Sequence, residues 1–382
     1  MIYLDHNATT PPAPAVIAAM LPVLSSVWAN SSSQHARGQE AKRTLNAARH
    51  TVARVLGCKT AEVIFTSGAT EANHLAVRGL LAAAPPGRHR VVFSSVEHAG
   101  HLRLMQALRA AGVAVDLIAV RGDGTLDLPA AQALMGSDVA LVSLMAANNE
   151  TGVLMPVADM AALAHSAGAL LHVDATQFIG KQPFDFSTCG ADAVSLSAHK
   201  LQGPKGVGAL LLRQGTALAA QTLGSQERGR RGGTENLAGI VGLAAALALL
   251  GDVSLEAARL SQLRDALEHG LSRALPGIHI WCRHVPRLPG TSYLRFGTLS
   301  ADVVLKRLER LGVAASSGAA CSSGGSEPSH VLTAMGVPAD EALAGVRLSL
   351  GCTTTLDDVT YLLQALPQLL APLLHEDMLT AP

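Results

Sequence analysis

The chain has 382 residues, 49% of them apolar and 15% charged, which is enough for a large buried core and too apolar for a disordered polymer. Basic and acidic residues balance at 29 each, so no net field draws nucleic acid or an anionic membrane. The five cysteines (Cys58, Cys189, Cys282, Cys321, Cys352) are scattered and never form a C-x-x-C pair, which argues against a disulfide framework or a zinc site and suits a reducing cytoplasm.

The N-terminus, Met1 to His6, has no basic region followed by an apolar run, so no secretory signal is expected. From about Ala15 to Leu250, short β-rich runs alternate with helical stretches. The runs are Val63–Thr66, Arg90–Ser94, Val139–Ser143, Leu170–Val173 and Ala193–Ser197. Such alternation predicts an α/β domain with a mainly parallel sheet flanked by helices. The longest apolar stretch, Leu237–Gly251, is interrupted by glycines and stops at Asp252, and reads as a buried core helix rather than a membrane span. Beyond it the pattern changes. Helical segments near Leu255–Leu275 and Ala301–Leu311 flank strand-like pieces near Ile278–Cys282 and Ser292–Phe296, a smaller α+β domain. A Ser/Gly-rich stretch, Ser316–Ser326, interrupts before helical sequence resumes.

Several segments carry possible chemistry. Ser197-Ala-His199-Lys200 follows a strand and sets a lysine among small residues, where desolvation frees an amine for Schiff-base chemistry. Alone, such a lysine reads as an ordinary surface residue. Phe65-Thr66-Ser67-Gly68-Ala69-Thr70 runs from a strand through a glycine turn into a helix. That helix start is either an anion cradle for a phosphate or a plain capped terminus. Asp174 falls just past a strand, where open α/β sheets gather ligands, and is either a partner for a pyridine nitrogen or a helix cap. Asn148-Asn149-Glu150 follows another strand and offers an amide, or is a simple turn.

Taken in order, these segments resemble the NifS/IscS-type cysteine desulfurases (group I of the class V aminotransferase family, with the fold-type I architecture of pyridoxal-phosphate enzymes). The resemblance runs from Tyr3-Leu-Asp-His-Asn-Ala-Thr-Thr-Pro11 to Arg347-Leu-Ser-Leu-Gly351. Between them stand Ser67–Glu71, Glu97-His98, Asn148–Glu150, Asp174–Gln177, Ser197–Lys200, Arg231–Asn236 and Ser316–Cys321. It implies a large cofactor-binding domain over residues 14–252 and a small domain made of 1–13 and 253–382, with a mobile catalytic loop at about 316–328.

The resemblance also implies the roles. Lys200 would hold pyridoxal 5'-phosphate as a Schiff base and then serve as acid and base. Asp174 would pair with the ring nitrogen, Gln177 and Asn149 would contact the ring hydroxyl, and His98 would stack on the ring. Ala69, Thr70, Ser197 and His199 would hold the phosphate, and Thr234 would reach the phosphate of a neighbouring subunit's cofactor, which implies a homodimer. Arg347, with Asn149, would bind the substrate. Cys321 would attack the sulfur of L-cysteine, keep it as a persulfide, release alanine and hand the sulfur to a protein acceptor such as an iron–sulfur scaffold or another carrier. No resident metal, direct nucleic-acid contact or membrane association is implied.

Three positions depart from the family pattern: Asn30–Ser33 carries serine where proline is usual, Glu97–His101 is unusual just after the histidine, and Cys352 replaces a common arginine. The tail after Leu374 is short, without the extension by which housekeeping members dock a scaffold, which leaves the acceptor open. A lyase that releases sulfide or selenium directly, and a catalytically silent scaffold, are the alternative readings.

Overall fold

The computed structural model describes residues 1–275, 277–318 and 327–380, with side chains as far as Leu374. Cys321 and most of its Ser/Gly stretch lie outside the described residues.

In chain order the strands are β1 (Ile2–Tyr3), β2 (Val63–Thr66), β3 (Arg90–Ser94), β4 (Val115–Ile118), β5 (Val139–Met145), β6 (Leu170–Asp174), β7 (Ala193–Ser197), β8 (Gly208–Leu212), β9 (Ile278–Ile280), β10 (Thr291–Phe296), β11 (Val313–Ala314), β12 (Ser316–Ser317) and β13 (Val346–Ser349). Seven form the main sheet, in the order β2-β8-β7-β6-β5-β3-β4. All pair parallel except β8, which runs against both β2 and β7. The expected mainly parallel sheet is therefore present, with one reversed strand. Strands β5, β7 and β8 are buried at every residue, β5 over seven positions, and so they read as continuous apolar runs rather than alternating ones.

The helices used below are α1 (Pro14–Ser25), α2 (Ala36–Val55), α3 (Ala69–Ala82), α4 (Ala99–Ala110), α5 (Leu128–Leu134), α6 (Val157–Ser166), α7 (Leu237–Ala248) and α8 (Val253–Ala274). Helix α7 is the expected core helix: Ile240, Leu243, Ala246 and Leu247 are buried against the sheet's main apolar cluster. Among the described residues no single helix is long and apolar enough to cross a membrane; α7 and α8 qualify only as a pair bent by 78°.

A second apolar cluster lies beyond that bend. Leu260, Leu263, Leu267 and Leu271 of α8 form one stripe. They meet Leu362, Leu366 and Leu370 from the last helix, Leu356–Thr380, over the small sheet β12-β13-β10-β9. Leu4 joins this cluster from the N-terminus. The N-terminal arm is stitched to the small sheet by Ser349 N–H donating to Leu4 O at 2.7 Å, and it runs on into the cavity described next.

Candidate active site

Five parallel strands end on one edge of the main sheet, and a functional segment leaves each carboxyl end. After β2 comes Ser67–Thr70, after β3 His98, after β5 Asn149, at the end of β6 Asp174, and after β7 His199 and Lys200. This edge is where open α/β sheets bind ligands. The segments enclose a cavity of about 640 Å³. It collects Ala69, Thr70, His98, Asn149, Asp174, Gln177, Ser197, His199, Lys200 and Arg347, ten of the residues singled out in the sequence. Thr234 is not among them. It lines a separate cavity with Val27, Trp28 and Ser31.

The start of α3 forms one wall. Its cap residue is Gly68, with no side-chain cap bond, and the first intrahelical bond is Ala72 N–H to Gly68 O. The N–H groups ahead of it have no acceptor inside the helix and carry its positive end. Gly68 has φ of +156°, and β8 passes close by: a Cβ on Gly208 would lie 2.7 Å from the Gly68 Cα. Glu71 reaches back to Ser67 N–H at 2.7 Å and takes a charge-assisted bond from Arg231 Nε at 2.7 Å, which fixes the turn.

Asp174 is held from behind. Asn73 Nδ2 donates to its Oδ2 at 2.7 Å and Thr176 N–H to its Oδ1 at 3.0 Å. Burial alone would push this carboxyl up, but the nearby His101 and these donors outweigh it and bring it below the usual value. A carboxylate at the cavity wall is the result.

Lys200 sits in a 3₁₀ turn directly after β7. Its Nζ donates to the carbonyls of Asn7 at 2.5 Å and Ala8 at 2.7 Å. The N-terminal arm also clasps the turn, with Thr10 N–H donating to His199 O at 2.9 Å and Thr10 Oγ1 to the same oxygen at 2.8 Å. A second amine stands beside the first. Lys181 Nζ donates to Asn7 Oδ1 at 2.8 Å and to Gln177 Oε1 at 2.5 Å. Burial, then the charges of Lys200 and Arg347, push the Lys181 amine well below its ordinary range. Gln177 completes the cluster by donating from Nε2 to Asn7 O at 2.8 Å. His199 is pushed down to about 4 by burial and by Lys200, Lys205 and Lys181, so it is neutral at pH 7.

His98 caps α4: its Nδ1 accepts from Gly100 N–H at 3.1 Å. Burial, the largest influence, and Lys200 lower its pKa against the pull of Asp174. A neutral ring whose Nδ1 accepts must carry its proton on Nε2. Arg347, on β13, is 3% exposed and already engaged. Its Nη1 donates to Asn149 O at 2.9 Å and its Nη2 to Asp5 Oδ1 at 2.9 Å. Its Nε, and Asn149 Oδ1, are buried without a hydrogen-bond partner among the described residues.

Sequence reasoning missed Asn7, Asn73, Lys181 and Asp5. Asn7 lay in a quoted motif with no role attached, and Lys181 had no signal beyond following Gly180 at a turn.

Residues 2–362 match the family model described as aminotransferase class-V. The chain belongs to that family. The curated relatives it resembles are cysteine desulfurases. One from Cereibacter sphaeroides is 48% identical over 96% of this chain and 95% of its own length. One from Bradyrhizobium diazoefficiens is 45% identical over 94% and 91%. Among solved structures, a NifS-like protein superposes with a TM-score of 0.90 at 34% identity, covering 97% of this chain and 99% of its own. The protein SspA, solved in complex with cysteine, superposes at 0.82 and 29% identity over 92% and 99%.

Proposed function

We propose that this chain is a cysteine desulfurase that holds pyridoxal 5'-phosphate in the 640 Å³ cavity and moves the sulfur of L-cysteine onto Cys321, releasing L-alanine. The observation that carries the reading is the placement of Lys200 and Asp174 on one cavity wall with the free N-terminus of α3. An amine, a buried carboxylate and an anion cradle are what an aldehyde-bearing pyridine phosphate needs, and the unpartnered Asn149 Oδ1 offers a further polar contact. When bound, the cofactor supplies a carbonyl that condenses with amines and a ring that withdraws electrons.

The chain's own groups do the rest. Ala69 and Thr70 with Ser197 and His199 hold the phosphate. Asp174, kept ionised, holds a proton on the ring nitrogen, and Asn149 and Gln177 meet the ring hydroxyl. Lys200 Nζ would hold the cofactor and would take the substrate's α-proton. His98 covers the ring and keeps its own proton on Nε2. Arg347 presents a planar fork, with Nε spare, to the substrate carboxylate. The Cys321 thiolate would attack the substrate's sulfur, the bond from that sulfur to the β-carbon would break with its electron pair left on the β-carbon, protonation there and at the α-carbon would complete alanine, and the persulfide's outer sulfur would pass to an acceptor protein in iron–sulfur assembly or another transfer route.

This reading includes a large domain over 14–252, with 1–13 and 253–382 forming the small one. It also includes a homodimer in which Thr234 serves the neighbour's site. Support for pairing comes from a stripe on α1: Ile17, Leu21 and Leu24, continued by Trp28, are 48–74% exposed next to the Thr234 cavity. Free thiols at Cys58, Cys189, Cys282 and Cys352 fit a reducing cytoplasm. The test is spectroscopic and chemical together: purified protein carries a visible cofactor band that shifts on adding L-cysteine, and alanine appears. A protein that cannot be loaded with cofactor supports a silent scaffold instead.

A further inference from the structure

Behind Asp174, away from the cavity, lies a fully buried polar pair with no assigned task. Glu97 closes the turn before α4. Its Oε1 accepts from Ser94 Oγ at 2.5 Å and from Met145 N–H at 2.8 Å. Its Oε2 has no hydrogen-bond partner among the described residues, and neither nitrogen of His101 has one. The two unsatisfied groups face each other: His101 Nδ1 is 3.4 Å from Glu97 Oε2, and 4.0 Å from Asp174 Oδ2. Both side chains of the pair are wholly inaccessible.

We propose that Glu97 and His101 share one proton behind Asp174, and that the pair keeps Asp174 a carboxylate through the neutral pH range, so that the cofactor's ring nitrogen always meets a charged partner. The proposal rests on reading the cavity as a pyridoxal-phosphate site.

The geometry explains why one proton is shared. Two carboxylates this near cannot both be bare in a dry wall, because each opposes the other's charge. Burial, reinforced by the charge of Asp174, pushes the Glu97 carboxyl up to about 8 against the bonds from Ser94 and Met145. Burial likewise pushes His101 down to about 4, against the pull of Asp174. At pH 7 the pair therefore carries one proton, on either Glu97 Oε2 or His101 Nδ1, and is neutral in both forms. The pair therefore adds no net charge beside Asp174. The titratable groups that face His101 are Glu97 and His98 from the turn before its helix, His74 from α3, and His172 and Asp174 from β6. His172 is fixed by Ser143 and Ser195 at 2.9 Å each and supplies no competing charge, being pushed down to about 3 by burial first and by His101 next.

The test has two readouts. In histidine-labelled apo-protein, nuclear magnetic resonance follows the His101 ring. The expected titration step lies near pH 8, where the shared proton leaves, and it vanishes in Glu97→Gln. An ordinary step near about pH 6.5 overturns the proposal. Pyridoxal phosphate affinity is then titrated on apo-protein from about pH 8 to about pH 6. The wild type stays flat. His101→Leu loses roughly tenfold over that range, because Asp174, without the imidazole beside it, takes up a proton as the pH falls, whereas Glu97→Gln, which removes a carboxyl that opposes the charge of Asp174, stays flat. Flat affinity in His101→Leu contradicts the proposal. If His101→Leu does not fold, Glu97→Gln, of nearly identical shape, decides alone through the loss of the His101 titration step. A wild type that binds no cofactor refutes the desulfurase reading, while the His101 step still reports on the pair.

Discussion

Arg347 Nη2 donates to Asp5 Oδ1 at 2.9 Å, so the proposed substrate fork already carries a carboxylate from the N-terminal arm. A substrate carboxylate must share that guanidinium with Asp5. Asp5→Asn keeps the acceptor oxygen but removes the rival charge, and the KM for L-cysteine is expected to fall several-fold with kcat little changed. Arg347→Ala removes a bidentate, charge-assisted contact, and KM is expected to rise roughly 10- to 100-fold. Steady-state alanine production measures both. A KM that does not move in Arg347→Ala would place the substrate elsewhere.

The phosphate wall depends on an ion pair far from any ligand. Arg49 donates to both oxygens of Glu227 at 2.7 Å, and Glu227 Oε2 also accepts from Phe65 N–H at 3.1 Å in β2. Glu227 keeps a left-handed backbone, φ +47°, to do so. Glu227→Ala strands the guanidinium of Arg49, which is buried, and is expected to cost about 3–5 kcal/mol. Urea unfolding of purified protein measures it. A loss below about 1 kcal/mol would show the pair to be dispensable.

Oligomeric state tests the exposed α1 stripe. Trp28→Glu, combined with Leu24→Glu, puts charge into the proposed interface and is expected to yield monomers by sedimentation. If Thr234 serves the neighbouring site, the monomers also bind cofactor more weakly. Monomeric wild-type protein would refute the shared-site arrangement.

Stability is expected to fall on the acid side. His6, His101 and His199 are pushed down to about 4, and His172 to about 3, with burial the first cause in each. An unfolded histidine takes a proton near about pH 6.5, so the unfolded chain binds more protons below that point and stability drops as pH falls toward 4. Glu97 and Glu150, raised by burial, act in the opposite direction between their unfolded values and their folded ones, but the four histidines outnumber them. Urea midpoints at pH 7, 6 and 5 should therefore decline stepwise; a flat series would contradict the buried, neutral histidines.

The parts legible in the sequence were those whose signal is local. Val63–Thr66, Arg90–Ser94 and Ala193–Ser197 are short buried runs between turns, and each forms a strand over the residues expected. Motif residues after strand ends gather in one cavity because the sheet's parallel strands bring their carboxyl ends together. Strand β8 was missed: Gly208-Ala-Leu-Leu-Leu212 follows β7 after the segment that carries Lys200, and its reversed direction is settled only by pairing with β2 and β7. Strand β4 is buried only at its two ends, Val115 and Ile118, so its four residues show neither an alternation nor a continuous apolar run. Lys181, Asn7 and Asn73 escaped because their work is done by contacts over 101 to 342 positions of sequence, apart from Lys181's bond to Gln177. No spacing rule reaches that far.

The central claim is that sulfur travels from substrate to residue 321. Mass measurement of the cofactor-loaded protein after brief exposure to L-cysteine tests it most directly. The account predicts one added sulfur atom, mapped by peptide analysis to Cys321, and a Cys321→Ser variant that binds cofactor and responds spectrally to L-cysteine yet makes no alanine. Unmodified Cys321 with undiminished alanine formation in the variant would contradict it and point to a lyase that releases sulfide directly.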